Sequence, residues 1–178
     1  RNCLAGRRHL CPHTQGVGVN RPGAFAEYLC IPMTNVWGAD PHIPLDVLAC
    51  FDPLGNAVHT ALSFDVLGED VLITGAGPIG LSCLVCAQAE GVRSCCMTEK
   101  IDSRVGTARK GGATWVGNPL KEDVVAAILK QQPLGMDVAF ECAGQQETID
   151  QAVDLLKAGG KLMLVGIPRE DRVSFAID

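Results

Sequence analysis

Aromatic residues are scarce in this chain, 4% of 178, and its 15 Lys and Arg are outnumbered by 20 Asp and Glu. The net charge is −5 and no cluster of Lys and Arg is interleaved with aromatic side chains, so neither nucleic acid nor an anionic membrane surface finds a partner here. Long apolar runs are also missing. Every apolar stretch is broken by Gly, Pro or a charge well before the roughly 20 residues that span a bilayer, and no basic-then-apolar leader opens the chain. The expectation is a cytoplasmic protein with no membrane or nucleic-acid partner.

What is present is the composition of a compact α/β protein: 47% hydrophobic residues, 20% charged, and 20 glycines spread among short apolar runs. The length suits one complete core plus part of a second. Because the chain opens at Arg1 and closes at Asp178 just after a strand-like segment, both ends read as cuts in something longer. Of its nine cysteines, Cys83, Cys86, Cys95, Cys96 and Cys142 lie inside apolar runs, where a free thiol serves as a small hydrophobe in a reducing compartment. Cys83 and Cys86 have the spacing of a redox pair, but they fall in a helical run behind a glycine turn and read as packing.

From Asp70 onward, short apolar runs alternate with longer amphipathic ones, as in a parallel sheet with crossover helices. The pattern predicts strands at Asp70–Thr74, Ser94–Thr98, Thr114–Gly117, Asp137–Phe140 and Lys161–Val165. Helices are predicted at Pro78–Glu90, Ser103–Gly111, Glu122–Gln132 and Gln146–Lys157. Five strands and four helices make a Rossmann-type, doubly wound α/β domain that ends before a sixth strand.

Within this alternation, Gly75-Ala76-Gly77-Pro78-Ile79-Gly80 follows the strand Val71-Leu72-Ile73-Thr74 and opens a helix. A lone GxGxxG is a weak signal, but the strand before it and the helix after it are the context its mechanism requires. Gly75 permits a tight turn, Gly77 lets the backbone approach a pyrophosphate, and Gly80 lets helix and strand pack closely. The helix N-terminus then offers free N–H groups and a positive dipole end to the phosphates. An acidic residue is expected about 20 residues further on to accept hydrogen bonds from the adenosine ribose, and Glu99 stands there. Its charge favours NAD over NADP. Lys100 and Arg104 are cations that could compensate, and Arg104 equally suits the adenosine wall of the pocket.

Residues 1–50 differ in character, with prolines, a Gly-rich stretch from Gly16 to Gly23, and the alternating run Phe25-Ala26-Glu27-Tyr28-Leu29-Cys30-Ile31-Pro32. They read as loop, turn and β-strand, the tail of a β-rich substrate domain, with the nucleotide domain occupying 51–178. Cys3 and Cys11 cannot make a four-ligand zinc site by themselves.

Four segments carry a resemblance: Arg1-Asn2-Cys3, Gly6-Arg7-Arg8-His9-Leu10-Cys11, Gly16 through Leu29, and Phe51-Asp52-Pro53-Leu54-Gly55-Asn56-Ala57-Val58-His59-Thr60-Ala61-Leu62. Together they resemble the zinc-containing medium-chain dehydrogenases, and the likeness covers essentially the whole chain. It implies that residues 1–50 are the end of a GroES-like catalytic domain. Cys3 and Cys11 would be the third and fourth cysteines of a structural zinc site whose first two lie upstream. The resemblance places Asp52 near the catalytic zinc, either as a direct ligand or in its outer shell, while an Asp ahead of Pro53 would equally suit a helix start. Asn56 and His59 match positions lining the nicotinamide end of the cleft, and Val165-Gly166-Ile167 matches the strand end that meets the nicotinamide carboxamide.

The implied reaction is zinc-assisted hydride transfer from a small-molecule secondary alcohol to NAD. The substrate expected first is L-threonine, giving 2-amino-3-oxobutanoate, and a sorbitol-type polyol is the alternative. A fragment that binds NAD without turnover is the reading from another class. Family members associate as homo-oligomers, dimers or tetramers, at full length.

Overall fold

The computed structural model describes residues 1–176, and its contacts divide the chain into two compact units, Arg1–Ile43 and Pro44–Asp178. The first unit is built of turns. It holds two short 3-10 turns, Arg8–Leu10 and Met33–Asn35, and one isolated bridge between Val17 and Arg21. The β-strand expected over the alternating run at 25–32 does not form. A strand needs a neighbour to take its backbone groups, and no second strand lies among the described residues of this unit. Instead, the Arg21 guanidinium donates to the Cys30 carbonyl at 2.8 Å, and Phe25, Tyr28, Met33 and Trp37 stand exposed.

The second unit opens with two helices, α1 (Leu45–Leu48) and α2 (Phe51–Ala61), and then alternates strand and helix. The order is β1 (Asp70–Thr74), α3 (Pro78–Ala89), β2 (Ser94–Thr98), α4 (Asp102–Lys110), β3 (Trp115–Gly117), α5 (Val124–Gln131), β4 (Met136–Glu141), α6 (Gln146–Leu155) and β5 (Leu156–Leu164). The strands form one sheet in the order β3-β2-β1-β4-β5, and every pairing is parallel. β1 and β2 have the bounds read from the sequence, and the other elements shift by a residue or two except at β5. There the chain leaves α6 directly into extended backbone, so Leu156 already pairs with Met136, and the register breaks before Lys161 pairs with Val138. Gly159, at φ +78°, lies inside that break.

Alternation along the central strand builds two cores. Val71 and Ile73 of β1 face a cluster with Ala57 and Ala61 of α2, Cys83, Leu84 and Ala87 of α3, and Val105 and Ala108 of α4. Leu72 faces the opposite side, with Ile128 of α5 and Ala152 and Leu155 of α6. β1 and β4 are buried on both faces, with apolar centres at Val71–Ile73 and Val138–Phe140 and buried polar residues at their ends. α3 is apolar nearly all round because it lies between the sheet and α2. The cysteines assigned to packing do pack: Cys83, Cys95 and Cys96 are buried, Cys86 and Cys142 half-buried, and all nine thiols are free. Burial pushes the Cys95 thiol up to about 12 and the Cys96 thiol to about 11, which keeps both neutral and hydrophobic in behaviour.

No described helix is long and apolar enough to cross a membrane. The sheet order reverses between β1 and β4, so the crevice outside their carboxyl ends is where a ligand of an open α/β sheet binds.

Candidate functional site

A cleft of about 460 Å³ opens at that switch point, lined by Gly75, Gly77, Glu99, Arg104, Cys142 and Gln145 among others. The glycine turn forms one lip. Gly75 has φ +90°, and a Cβ there would meet Ala143 and the Cys142 carbonyl carbon at 3.3 Å. At Gly80 a Cβ would overlap the Gly75 carbonyl oxygen, so the first turn of α3 sits directly on the β1 turn. At Gly77 a Cβ would meet nothing within 4 Å. Three glycines in one motif thus answer three different demands, and only the middle one faces open space. Pro78 occupies the first position of α3, where its missing N–H costs nothing, and Ile79 packs at the edge of the core below.

Glu99 forms the floor beyond β2. It is buried, with its Oε2 accepting from the Ala76 N–H at 2.8 Å and its Oε1 from the Ile101 N–H at 3.0 Å. Arg104 reaches Oε2 at 3.9 Å. The acidic residue and the glycine turn, distant in sequence, are therefore joined by one hydrogen bond. Lys100 spans the cleft from the other side, its Nζ donating to Gln145 Oε1 at 3.1 Å.

At the far end Cys142, read from the sequence as packing, lines the cleft, and behind it lies Glu141, which sequence reasoning passed over. Glu141, the last residue of β4, is fully buried. Its signal was a charge at the end of an apolar run, a position where Glu is almost never fully buried without partners. Cys142 beside it shares a hydrogen bond with Cys83, and that bond together with burial holds its thiol well above the usual range.

Val165 and Gly166 both donate their N–H groups to the Glu141 carbonyl at 2.8 Å. Ile167 beyond them is exposed, and its carbonyl oxygen lies 2.5 Å from where a Gly144 Cβ would be.

Asp52, Asn56 and His59 all stand exposed on α2, and their spacing puts them along one face of that helix. Asn56 Nδ2 donates to the Asp52 carbonyl at 3.3 Å. None of the three is among the residues lining the cleft. α2 begins at Phe51, so Asp52 lies in its first turn and its side chain does not cap the helix, contrary to the start at Pro53 read from the sequence. There it complements the helix dipole.

In the first unit Cys3 is exposed and Cys11 half-buried, and the Cys11 sulfur accepts from the His13 N–H at 3.4 Å. Among the described residues no three His, Cys, Asp or Glu gather to hold a metal. A structural zinc takes four ligands, so the residues present do not make that site.

The fold and the cleft define a nucleotide-binding α/β domain with its ligand crevice at the carboxyl ends of a parallel sheet. Residues 78–177 match the model of the zinc-binding dehydrogenases, and the chain belongs to that family. It is 51% identical over 173 residues to an L-threonine 3-dehydrogenase of Deinococcus deserti, a match covering 96% of this chain and 50% of that protein. An L-threonine 3-dehydrogenase of Anaeromyxobacter sp. (strain K) is 50% identical over 169 residues, covering 94% and 49%. The chain spans about half the length of the curated relatives it matches. Among solved structures, alcohol dehydrogenase TADH from Thermus sp. ATN1 superposes with a TM-score of 0.90 at 26% identity, over 99% of this chain and 54% of that one. A protein from Sinorhizobium meliloti 1021 solved with NADP bound gives a TM-score of 0.87 at 32% identity, over 98% and 53%.

Proposed function

We propose that this chain is the cofactor-binding part of an NAD-linked dehydrogenase acting on a secondary alcohol, with L-threonine as substrate and 2-amino-3-oxobutanoate as product. The observation that carries this reading is the Gly75–Gly80 turn between β1 and α3, tied by its Ala76 N–H to Glu99 at the rim of the cleft. Half identity to two L-threonine 3-dehydrogenases supports the substrate. Residues 1–50 then belong to the catalytic domain and 51–178 to the nucleotide domain.

The residues present fit a dinucleotide. Gly77 leaves its side-chain space open to a pyrophosphate, and the first turn of α3 supplies N–H groups that have no helical partner. Glu99 keeps lone pairs on both oxygens for ribose hydroxyls beyond the two N–H bonds it accepts, with Arg104 along the adenosine side. Val165, Gly166 and Ile167 would offer backbone groups to the nicotinamide end, where the family resemblance also assigns Asn56 and His59, although neither lines the cleft described above. The cofactor supplies acceptance of a hydride from the alcohol carbon. The chain's share is to hold the two at reacting distance.

Asp52 stands near the catalytic metal in this reading, and Cys3 and Cys11 contribute to the structural zinc. Because the four-ligand set is not present, no step is assigned to zinc here. The whole protein is a cytoplasmic homo-oligomer, dimer or tetramer.

The test is NAD reduction by the whole protein that carries this chain, with L-threonine and sorbitol side by side, before and after zinc chelation. Chelator-sensitive turnover of threonine alone is the expected result. Turnover of sorbitol, or of neither, sinks the substrate assignment.

A further inference from the structure

At the carboxyl end of β4 a single residue holds together every segment that frames the far side of the cleft. Glu141 Oε1 accepts from the N–H groups of Ala143 and Gly144 and from Thr148 Oγ1, each at 2.8 Å, and from Thr74 Oγ1 at 3.4 Å. Its main-chain carbonyl takes the N–H groups of Val165 and Gly166. Thr74 immediately precedes the glycine turn, Ala143 and Gly144 lead into α6, Thr148 sits in the first turn of α6, and Val165–Gly166 directly follows β5.

Oε2 is buried with no hydrogen-bond partner among the described residues. Gly166 lies against it, so that a Cβ there would stand 2.7 Å from Oε2. Spacing is thus set from both sides of the carboxylate.

Packing alone does not account for a glutamate here. A fully buried carboxylate with one oxygen unsatisfied is expensive, and an apolar side chain of similar volume generally serves a core as well or better. What an apolar side chain could not do is gather four donors from a strand end, a loop and the first turn of a helix onto one point.

We propose that Glu141 is the positioning residue for the nicotinamide end of the cleft. It fixes the distance between the glycine turn, which holds the pyrophosphate, and Val165–Ile167, which meets the nicotinamide. The inference rests on the dinucleotide reading above and adds to it a residue that touches no cofactor atom but sets where the cofactor's reactive ring lies.

Glu141→Gln is the informative change, because it keeps shape and one acceptor oxygen while turning the Oε2 position into an amide that faces Gly166. Two probes separate the ends of the site on the whole protein that carries this chain: NADH, followed by its fluorescence, and ADP-ribose, which lacks the ring, followed by calorimetry. Loss of the charge that strengthens the four bonds to Oε1 predicts NADH binding weakened about tenfold in Glu141→Gln, with ADP-ribose binding unchanged within about twofold. Thr148→Val, which removes one donor and spares the carboxylate, weakens NADH alone by about threefold. It stands in if Glu141→Gln does not fold. Equal losses for both probes reduce Glu141 to a structural role and overturn the proposal, as does unchanged NADH binding. If the unaltered whole protein binds neither probe, the dinucleotide reading itself fails and takes this inference with it.

Discussion

Gly77 and Gly80 stand three residues apart in one motif, yet the structure predicts opposite consequences for the same substitution. At Gly80 a new Cβ overlaps the Gly75 carbonyl oxygen and comes within 3.0 Å of its carbon, with Ile73 Cγ2 at 3.6 Å. The neighbour is backbone and cannot rotate aside, so α3 must move off the sheet. Overpacking of this kind costs about 1–3 kcal/mol, offset by up to about 1 kcal/mol of helix propensity gained from Gly to Ala. A clash with backbone belongs at the upper end, about 3 kcal/mol, so about 2 kcal/mol remains and Gly80→Ala should melt about 4–8 °C below the parent, at the 2–4 °C per kcal/mol usual for chains of this size.

At Gly77 the added methyl meets nothing within 4 Å, and the backbone is already at φ −76°. Lower entropy of the unfolded chain favours Ala by about 0.4–1 kcal/mol, and the weaker helix cap removes a similar amount. Gly77→Ala should melt within about 2 °C of the parent. The methyl fills the space where a pyrophosphate would lie, however. With NADH at 100 times its Kd the parent gains about 2.7 kcal/mol, and a hundredfold loss of affinity leaves about 0.4 kcal/mol. Thermal melts with and without NADH read both quantities in one experiment. A Gly77→Ala chain that keeps the full ligand-induced rise would refute the phosphate cradle, and a Gly80→Ala chain that melts like the parent would refute the packing argument.

Glu99→Ser should relax the preference for NAD by removing the carboxylate that repels a 2′-phosphate, leaving Lys100 and Arg104 in place. An unchanged ratio of NAD to NADP affinities removes Glu99 from the ribose site. At the opposite end of the sheet, the Arg93 guanidinium hydrogen-bonded to Asp70 holds that carboxyl below its usual range, with Ser94 Oγ assisting at 2.7 Å. A depressed carboxyl stabilises the fold above its unfolded pKa, about 3.9, and that stability is lost as pH falls through the lower folded value. Asp70→Asn should therefore lower the urea midpoint most at neutral pH, with the gap closing toward pH 3. A constant gap across that range contradicts the linkage.

Much of the second unit was legible because its chemistry is local. Parallel strands buried on both faces must be short apolar runs, and Gly75, Gly77 and Gly80 are recognised by spacing and by the strand ahead of them. Glu99 was legible for the same reason, since the motif sets how far downstream the ribose acceptor falls. What the sequence could not display was partnership across the sheet. Glu141 collects donors from residues 67 positions upstream at Thr74 and 7 downstream at Thr148, and no periodicity reports that. The run at 25–32 failed for the converse reason. Alternation shows that a segment is able to pair, but a strand exists only where a second strand meets it.

The two ends of the sheet handle buried charge in different ways. At the amino ends, Asp70 and Asp137 are buried but face cations: Arg93 bonds to Asp70 and reaches Asp137 at 3.7 Å, and Lys157 pairs with Asp137. Opposite charges meet there, and the result is a clamp across β1, β2, β4 and β5. At the carboxyl ends, Glu99 and Glu141 are answered mainly by backbone N–H groups of Ala76, Ile101, Ala143 and Gly144. A cation would have neutralised each carboxylate at one point. Backbone donors instead draw whole loops onto it, so the charge is spent on shaping the walls of the cleft. Replacing a cation at the amino ends should therefore register in stability alone, whereas replacing Glu99 or Glu141 should register in which ligand binds and how well.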